Sequence, residues 1–326
     1  MDLEKIVDLA FEALSKSKAT INTSEITNLF FEMLKEKSDS EFVELLIVSG
    51  YIPDLYPPDS SCETLYTKLC EALEVEWANR MGYTANTVTQ KASYEDVVIN
   101  IDGNIVVSDT KTFRLSRSQV APNVKDFVKP EDYKKWISRH KGKKLGGLIV
   151  YPQLHEWLRN SDAYTYCSDK NNPIVMLPFH YLAYLLSVKK IYNTNDLKRL
   201  WDYKKLFPIK VSTRLEYWKI INQAILAITN DDVENFRSFL VNCESKLFTF
   251  VNDKKKVIDN HKTKIINEIH KEVDLYSKEE LRECLVNYRI KNETHLFDVL
   301  SSRIVDFRLT GDEATNYLNF IDEGFK

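Results

Sequence analysis

Glycine and proline are scarce in this chain, at 8 and 9 of 326 residues. A loop-rich or all-β protein uses far more of both, so the shortage points to long helices. Cysteine is sparse too. Cys62, Cys70, Cys167, Cys243 and Cys284 are odd in number, scattered, and form no C-x-x-C pair. That argues against a disulfide framework or a zinc knuckle and for reduced, mostly buried thiols. No run of about 18 apolar residues exists, so no membrane span is expected. The start, Met1-Asp2-Leu3-Glu4-Lys5, lacks the basic-then-apolar layout of a signal peptide. A soluble, cytoplasmic protein is the expectation. A P-loop, a dinucleotide fingerprint and a nucleophile elbow are all missing. The six histidines are dispersed without metal-ligand spacing, which removes another set of chemistries.

What is present suits a packed, mixed protein. The hydrophobic share of 44% is enough for a core, and the 29% of charged residues is spread along the chain. The net charge of -3 says nothing by itself about nucleic acid. Helical spacing of apolar residues marks residues 2–50 and again Ser60 to Gly82, where Leu65, Leu69, Leu73 and Trp77 share one face. From Thr84 to Pro178 the character changes. Val97-Val98-Ile99, Ile105-Val106-Val107, Leu148-Ile149-Val150 and Ile174-Val175-Met176-Leu177 are short, largely β-branched runs bounded by turn residues. Asp102-Gly103-Asn104 reads as the hairpin turn between the first two. Helical stretches are expected near Pro130–Arg139 and His155–Arg159. From Phe179 to Lys326 almost everything reads as helix. The expected fold class is α/β. One domain spans 1–326, with N-terminal helices over 1–83, a catalytic α/β core over 84–178 and a helical part over 179–326.

The run Ile105-Val106-Val107 delivers Asp109, and Lys111 follows two residues later. On a strand those two side chains share a face. The preceding run begins at Asp96, so paired strands would converge two carboxylates and a lysine at one sheet edge. This is the set that phosphodiester hydrolysis needs. Mg2+ takes hard oxygen ligands, which Asp96, Asp109 and the Thr110 carbonyl can supply. Lys111 can orient water and offset charge in the transition state. A third acid could come from Glu71, Glu74 or Glu76, although the ordinary expectation for each is a solvated helix face. The D/E-x-K pattern alone is weak. It recurs at Asp132-Tyr133-Lys134, Asp196-Leu197-Lys198 and elsewhere, always in helical or polar surroundings.

Beyond the lysine the charge turns basic. Between Lys111 and Lys144 stand eleven Lys and Arg against Asp126, Glu131 and Asp132, a net +8, which leaves -11 for the remainder. Beside a phosphodiesterase site this suits a polyanion held by its phosphates. Arg114 and Arg117 lead the segment. Asn123, Lys125 and Asp126 follow on one loop, and these types can contact adenine, guanine and cytosine edges respectively in the major groove.

At these residues the chain resembles the HindIII family of type II restriction endonucleases. The likeness is carried by Val107-Ser108-Asp109-Thr110-Lys111-Thr112-Phe113-Arg114-Leu115-Ser116-Arg117, by Lys125-Asp126-Phe127 and by Glu95-Asp96-Val97. It runs from about Leu65 to Lys129 and reappears at His180-Tyr181-Leu182-Ala183. The resemblance implies a PD-(D/E)xK core and a homodimeric, Mg2+-dependent enzyme acting on double-stranded DNA. Asp96, Asp109 and Lys111 would be its catalytic set, and Asn123, Lys125 and Asp126 its base-reading loop. It also implies cleavage at a short palindrome, with AAGCTT as the candidate, leaving 5'-phosphate and 3'-hydroxyl ends. An acid that the family carries just upstream of the first aspartate is replaced here near Thr89-Gln90. Two other readings stay open: a repair or mobile-element nuclease on the same core, and a non-enzymatic DNA-binding protein.

Overall fold

The computed structural model describes residues 3–16, 23–88, 93–157 and 160–304. The chain falls into two units, Met1–Ile258 and Asp259–Lys326. The first unit is built on a five-stranded sheet in the order β2-β3-β4-β6-β7. Strands β2 (Thr84–Thr87), β3 (Val97–Ile101) and β4 (Asn104–Thr110) are antiparallel neighbours. Strands β6 (Lys143–Tyr151) and β7 (Ile174–Pro178) then run parallel to β4. The four β-branched runs thus form the four strands expected of them. The β3–β4 hairpin turns at Asp102 and Gly103, with φ of 51° and 78°. A turn with two left-handed residues matches the strand twist, which is why Asp-Gly serves there. Strands β1 (Tyr51–Ile52) and β5 (Phe113–Arg114) pair separately as a short parallel ladder.

Helix α4 (Ser61–Arg80) starts where Ser60 accepts the N–H of Glu63. Its Leu65, Leu69, Leu73 and Trp77 are buried as the spacing predicts. Helices α1 (Leu3–Lys16) and α2 (Thr23–Lys35) pack over it, and its other side lies against β2, β3 and β4. Glu71, Glu74 and Glu76 are therefore buried, not solvated. Between α4 and its predecessors comes α3 (Asp39–Ile47), capped by Ser38.

Helix α6 (Pro130–Arg139) forms as expected and packs on β4 and β6. Its approach is possible because Gly147 in β6 lacks a side chain: a Cβ there would lie 2.3 Å from the Tyr133 ring. Of the helix expected over His155–Arg159, the described residues 155–157 form none. Gln153–His155 is a single 3-10 turn after Pro152, and Glu156 is already extended. Two buried contacts draw the chain out of a helix here: His155 reaches the Arg114 carbonyl, and Glu156 accepts from Tyr164. Residues 158 and 159 lie outside the described residues, as do Thr89 and Gln90.

The helical part holds α8 (Phe179–Ser187), a 3-10 stretch over Thr194–Trp201, α9 (Tyr203–Leu206) and α10 (Arg214–Thr229). The long charged segment read from Asp232 to Tyr276 is α11 (Val233–Val273), and α12 (Lys278–Ile304) follows. Two short helices, α5 (Val124–Phe127) and α7 (Asp162–Tyr166), complete the set of described helices. No described helix is long and apolar enough to cross a membrane. The second unit takes in the end of α11 and all of α12. There Ser277 and Glu280 cap each other, and Leu275, Tyr288 and Phe297 are strongly exposed.

Candidate active site

The C-terminal tip of β4 places three sequence-predicted residues in succession. Ser108, Asp109 and Thr110 pair with Leu148, Ile149 and Val150 of β6, and the Lys111 N–H donates to the Val150 carbonyl at 2.7 Å. Anchored this way, Asp109 and Lys111 meet side by side, Nζ to Oδ2 at 2.7 Å. Both keep some exposure, 15% and 21%. Asp96, just before β3, donates its N–H to the Ser108 carbonyl and accepts the Thr110 N–H on Oδ2 at 2.9 Å. Asp96, Asp109, Thr110 and Lys111 are thereby brought together.

Helix α4 adds acids. The Thr110 hydroxyl donates to Glu74 at 2.5 Å, and Glu71 is held by Lys68 one turn earlier at 2.7 Å. Glu76 instead pairs with Arg80 at 2.8 Å and belongs to the helix packing. Of the three third-acid candidates, Glu71 and Glu74 face the site.

The electrostatics match a place built for a cation. Burial, then the charges of Asp109 and Glu71, push the Asp96 carboxyl well above its usual range. Burial raises Glu71 against the pull of Lys68. Burial lifts Glu74 to about 7, opposed by the hydroxyls of Ser108 and Thr110. Four carboxylates crowd one strand tip that offers two ammonium groups, Lys68 and Lys111. The Glu74 Oε1 is buried with no hydrogen-bond partner. This hard-oxygen donor set with an orphaned acceptor fits a divalent ion in ligand type. No three His, Cys, Asp or Glu among the described residues are already closed into a metal cage. Asp109 is turned onto Lys111 and Asp96 is turned onto the Thr110 N–H, which accounts for the open arrangement.

Asp109 and Lys111 open into a cleft of about 310 Å³, which Asp126, Lys129, Asp132, Tyr133 and Trp136 also line. Asp126 sits on α5 with Lys125, and both are exposed. Asn123 is exposed as well and caps α5, its Oδ1 accepting the Lys125 N–H at 3.1 Å. Arg114 is engaged inside the protein. It donates to the carbonyls of Pro53 at 3.1 Å and Tyr56 at 2.7 Å, and pairs with Glu63 at 3.0 Å. Arg117 lies over the Phe113 ring, 4.9 Å from its centroid. Sequence reasoning missed Lys68, Tyr133 and Trp136. Lys68 was findable from its i,i+3 spacing to Glu71. Tyr133 appears in the sequence only inside a misleading Asp-x-Lys triplet, and Trp136 carries no local signal.

With this geometry stand two comparisons. A family model described as HindIII restriction endonuclease matches residues 4–298. The type II restriction enzyme HindIII of Haemophilus influenzae is 23% identical over 302 residues, covering 90% of this chain and 93% of that protein.

Proposed function

The chain belongs to the HindIII restriction endonuclease family, and on that premise we propose that it cuts double-stranded DNA at a short palindrome, using Mg2+ and acting as a homodimer. The observation that carries this reading is the strand tip where Asp109 and Lys111 meet, backed by Asp96, Glu71 and Glu74 and open to a cleft. A divalent ion supplies charge neutralisation on the phosphate and activation of the attacking water. Asp96 and Asp109 would hold it, with the Thr110 carbonyl and a glutamate of α4. Lys111, no longer paired with Asp109, would orient the water and offset charge on the phosphate oxygens. Hydrolysis by this set leaves 5'-phosphate and 3'-hydroxyl ends.

Recognition falls to α5. Asn123, Lys125 and Asp126 have the chemistry for A, G and C edges, which suits AAGCTT as the target. Arg114 ties β5 to the loop at Pro53 and Tyr56, and Arg117 follows it in the basic segment. A palindrome calls for two-fold symmetry, hence two copies of the chain. The exposed apolar residues of α12 and its connection to α11, such as Leu275, Tyr288 and Phe297, offer surface for a second copy to cover.

Incubating plasmid DNA with the protein and Mg2+ tests the reading. Discrete fragments with one sequenced end support it. Smears or random nicks would make the protein a repair or mobile-element type of nuclease. Intact DNA, still bound, would reduce it to a DNA-binding protein.

A further inference from the structure

Tyr133 has no duty in the mechanism above, yet its placement is unusual. It is 1% exposed, and its hydroxyl is buried without a hydrogen-bond partner. A buried hydroxyl left unpaired costs roughly 1–3 kcal/mol. Phenylalanine would fill the same volume without that cost, so shape alone does not explain a tyrosine. The ring rests on Gly147. Gly147 pairs with Val107, and two residues on Ile149 pairs with Asp109. Paired positions and positions two apart share a face of the sheet. Tyr133 therefore covers the face from which Asp109 projects, and both line the same cleft.

We propose that Tyr133 is a positioning residue for Asp109: its hydroxyl donates to the Asp109 carboxylate when that carboxylate leaves Lys111 for the cation. The inference rests on the nuclease reading of the site. Asp109 is held by Lys111 at 2.7 Å, and the Tyr133 hydroxyl has no acceptor. Turning the carboxylate toward Asp96, its neighbour just before β3, frees the ammonium group for the water and the phosphate. The turn gives the tyrosine its partner. A phenol keeps its proton at neutral pH, so the group is a donor. Donors behind metal-holding carboxylates fix their orientation, and removing one costs about 10- to 100-fold in metal affinity or rate.

Tyr133→Phe removes only the oxygen. Ca2+ binding by calorimetry to the protein, with and without duplex DNA, is the primary measurement, and plasmid cleavage over a Mg2+ series is the second. The expected result is Ca2+ binding weakened about tenfold or more and a higher Mg2+ concentration for half-maximal cutting. The thermal midpoint stays equal or rises, because an unpaired hydroxyl is lost. Ca2+ binding unchanged in Tyr133→Phe, beside a wild type that cuts plasmid, overturns the role while the nuclease reading stands. A Tyr133→Phe chain that fails to fold also overturns it, since the hydroxyl would then be used at rest. A wild type that neither binds Ca2+ nor cuts removes both.

Discussion

Asp109 and Lys111 can be tested one atom group at a time. Asp109→Ala or Lys111→Ala is expected to lower cleavage by at least about 10³-fold, with DNA binding retained, measured by plasmid digestion and gel shift on the same preparation. Cutting at the wild-type rate by either variant would move the centre elsewhere. At Asn123 two roles separate cleanly, because aspartate keeps the capping oxygen but loses the amide donors. Asn123→Asp should hold the melting temperature while base discrimination at an A position falls. Asn123→Ala should lose both, with about 1 kcal/mol of stability. The meeting of Asp96, Asp109 and Lys111 at one strand tip was legible because two apolar runs flank a hairpin turn, one led by an acid and the other ending in one. Glu71 and Glu74 were not. In sequence they look like solvated helix charge, and only the packing of α4 against the sheet reveals that they are buried at the tip of β4.

At the scale of elements, the joints between them carry the stability. Gly147 lets α6 descend onto β6, and Gly147→Ala sets a methyl 2.3 Å from the Tyr133 ring. Overpacking of this kind should cost about 1–3 kcal/mol in chemical denaturation, and should depress cleavage by tilting α6. Glu156, extended where a helix was expected, accepts from Tyr164 at 2.8 Å and from the Trp218 indole, and pairs with Arg214. Glu156→Ala leaves the Trp218 indole without its acceptor, while Tyr164 keeps the Trp157 carbonyl at 3.0 Å, and should cost about 1–3 kcal/mol, read from urea unfolding. Asp39, at the start of α3, joins Lys189 at 2.8 Å and Arg80 at 3.0 Å. Its bond to Lys189 outranks the opposing burial and holds its carboxyl below 3.8. A depressed folded value adds stability above pH 3.8 that is lost as pH falls through the folded value. Asp39→Asn should flatten that part of the acid unfolding curve. The four core strands were readable from β-branched runs with turn residues between them. Strands β1 and β5 have two residues each, and β2 is Thr-Ala-Asn-Thr, so none of these leaves a periodic trace.

For the whole molecule, the basic segment counts eleven cations, but the fold occupies several. Lys111, Arg114, Lys134 and Lys135 have carboxylate partners, and Arg117 and Arg139 lie over the rings of Phe113 and Tyr94. Lys125, Lys129, Lys141, Lys143 and Lys144 form no ion pair among the described residues. Five phosphate contacts per protomer, ten in a homodimer, imply a slope of about -9 in log affinity against log salt, well short of the sequence count. Fluorescence anisotropy at several salt concentrations measures it, and a slope of half that size would mean the segment does not track the backbone. The net charge gave no hint of this, since the +8 window is masked by -11 elsewhere. The glycine beneath α6 has one more consequence, for heredity. Any single-nucleotide missense change in the Gly147 codon installs a side chain where the tyrosine ring already lies. A lineage that keeps this enzyme working can therefore drift at its solvent-facing lysines far more freely than at a residue that takes no part in the chemistry.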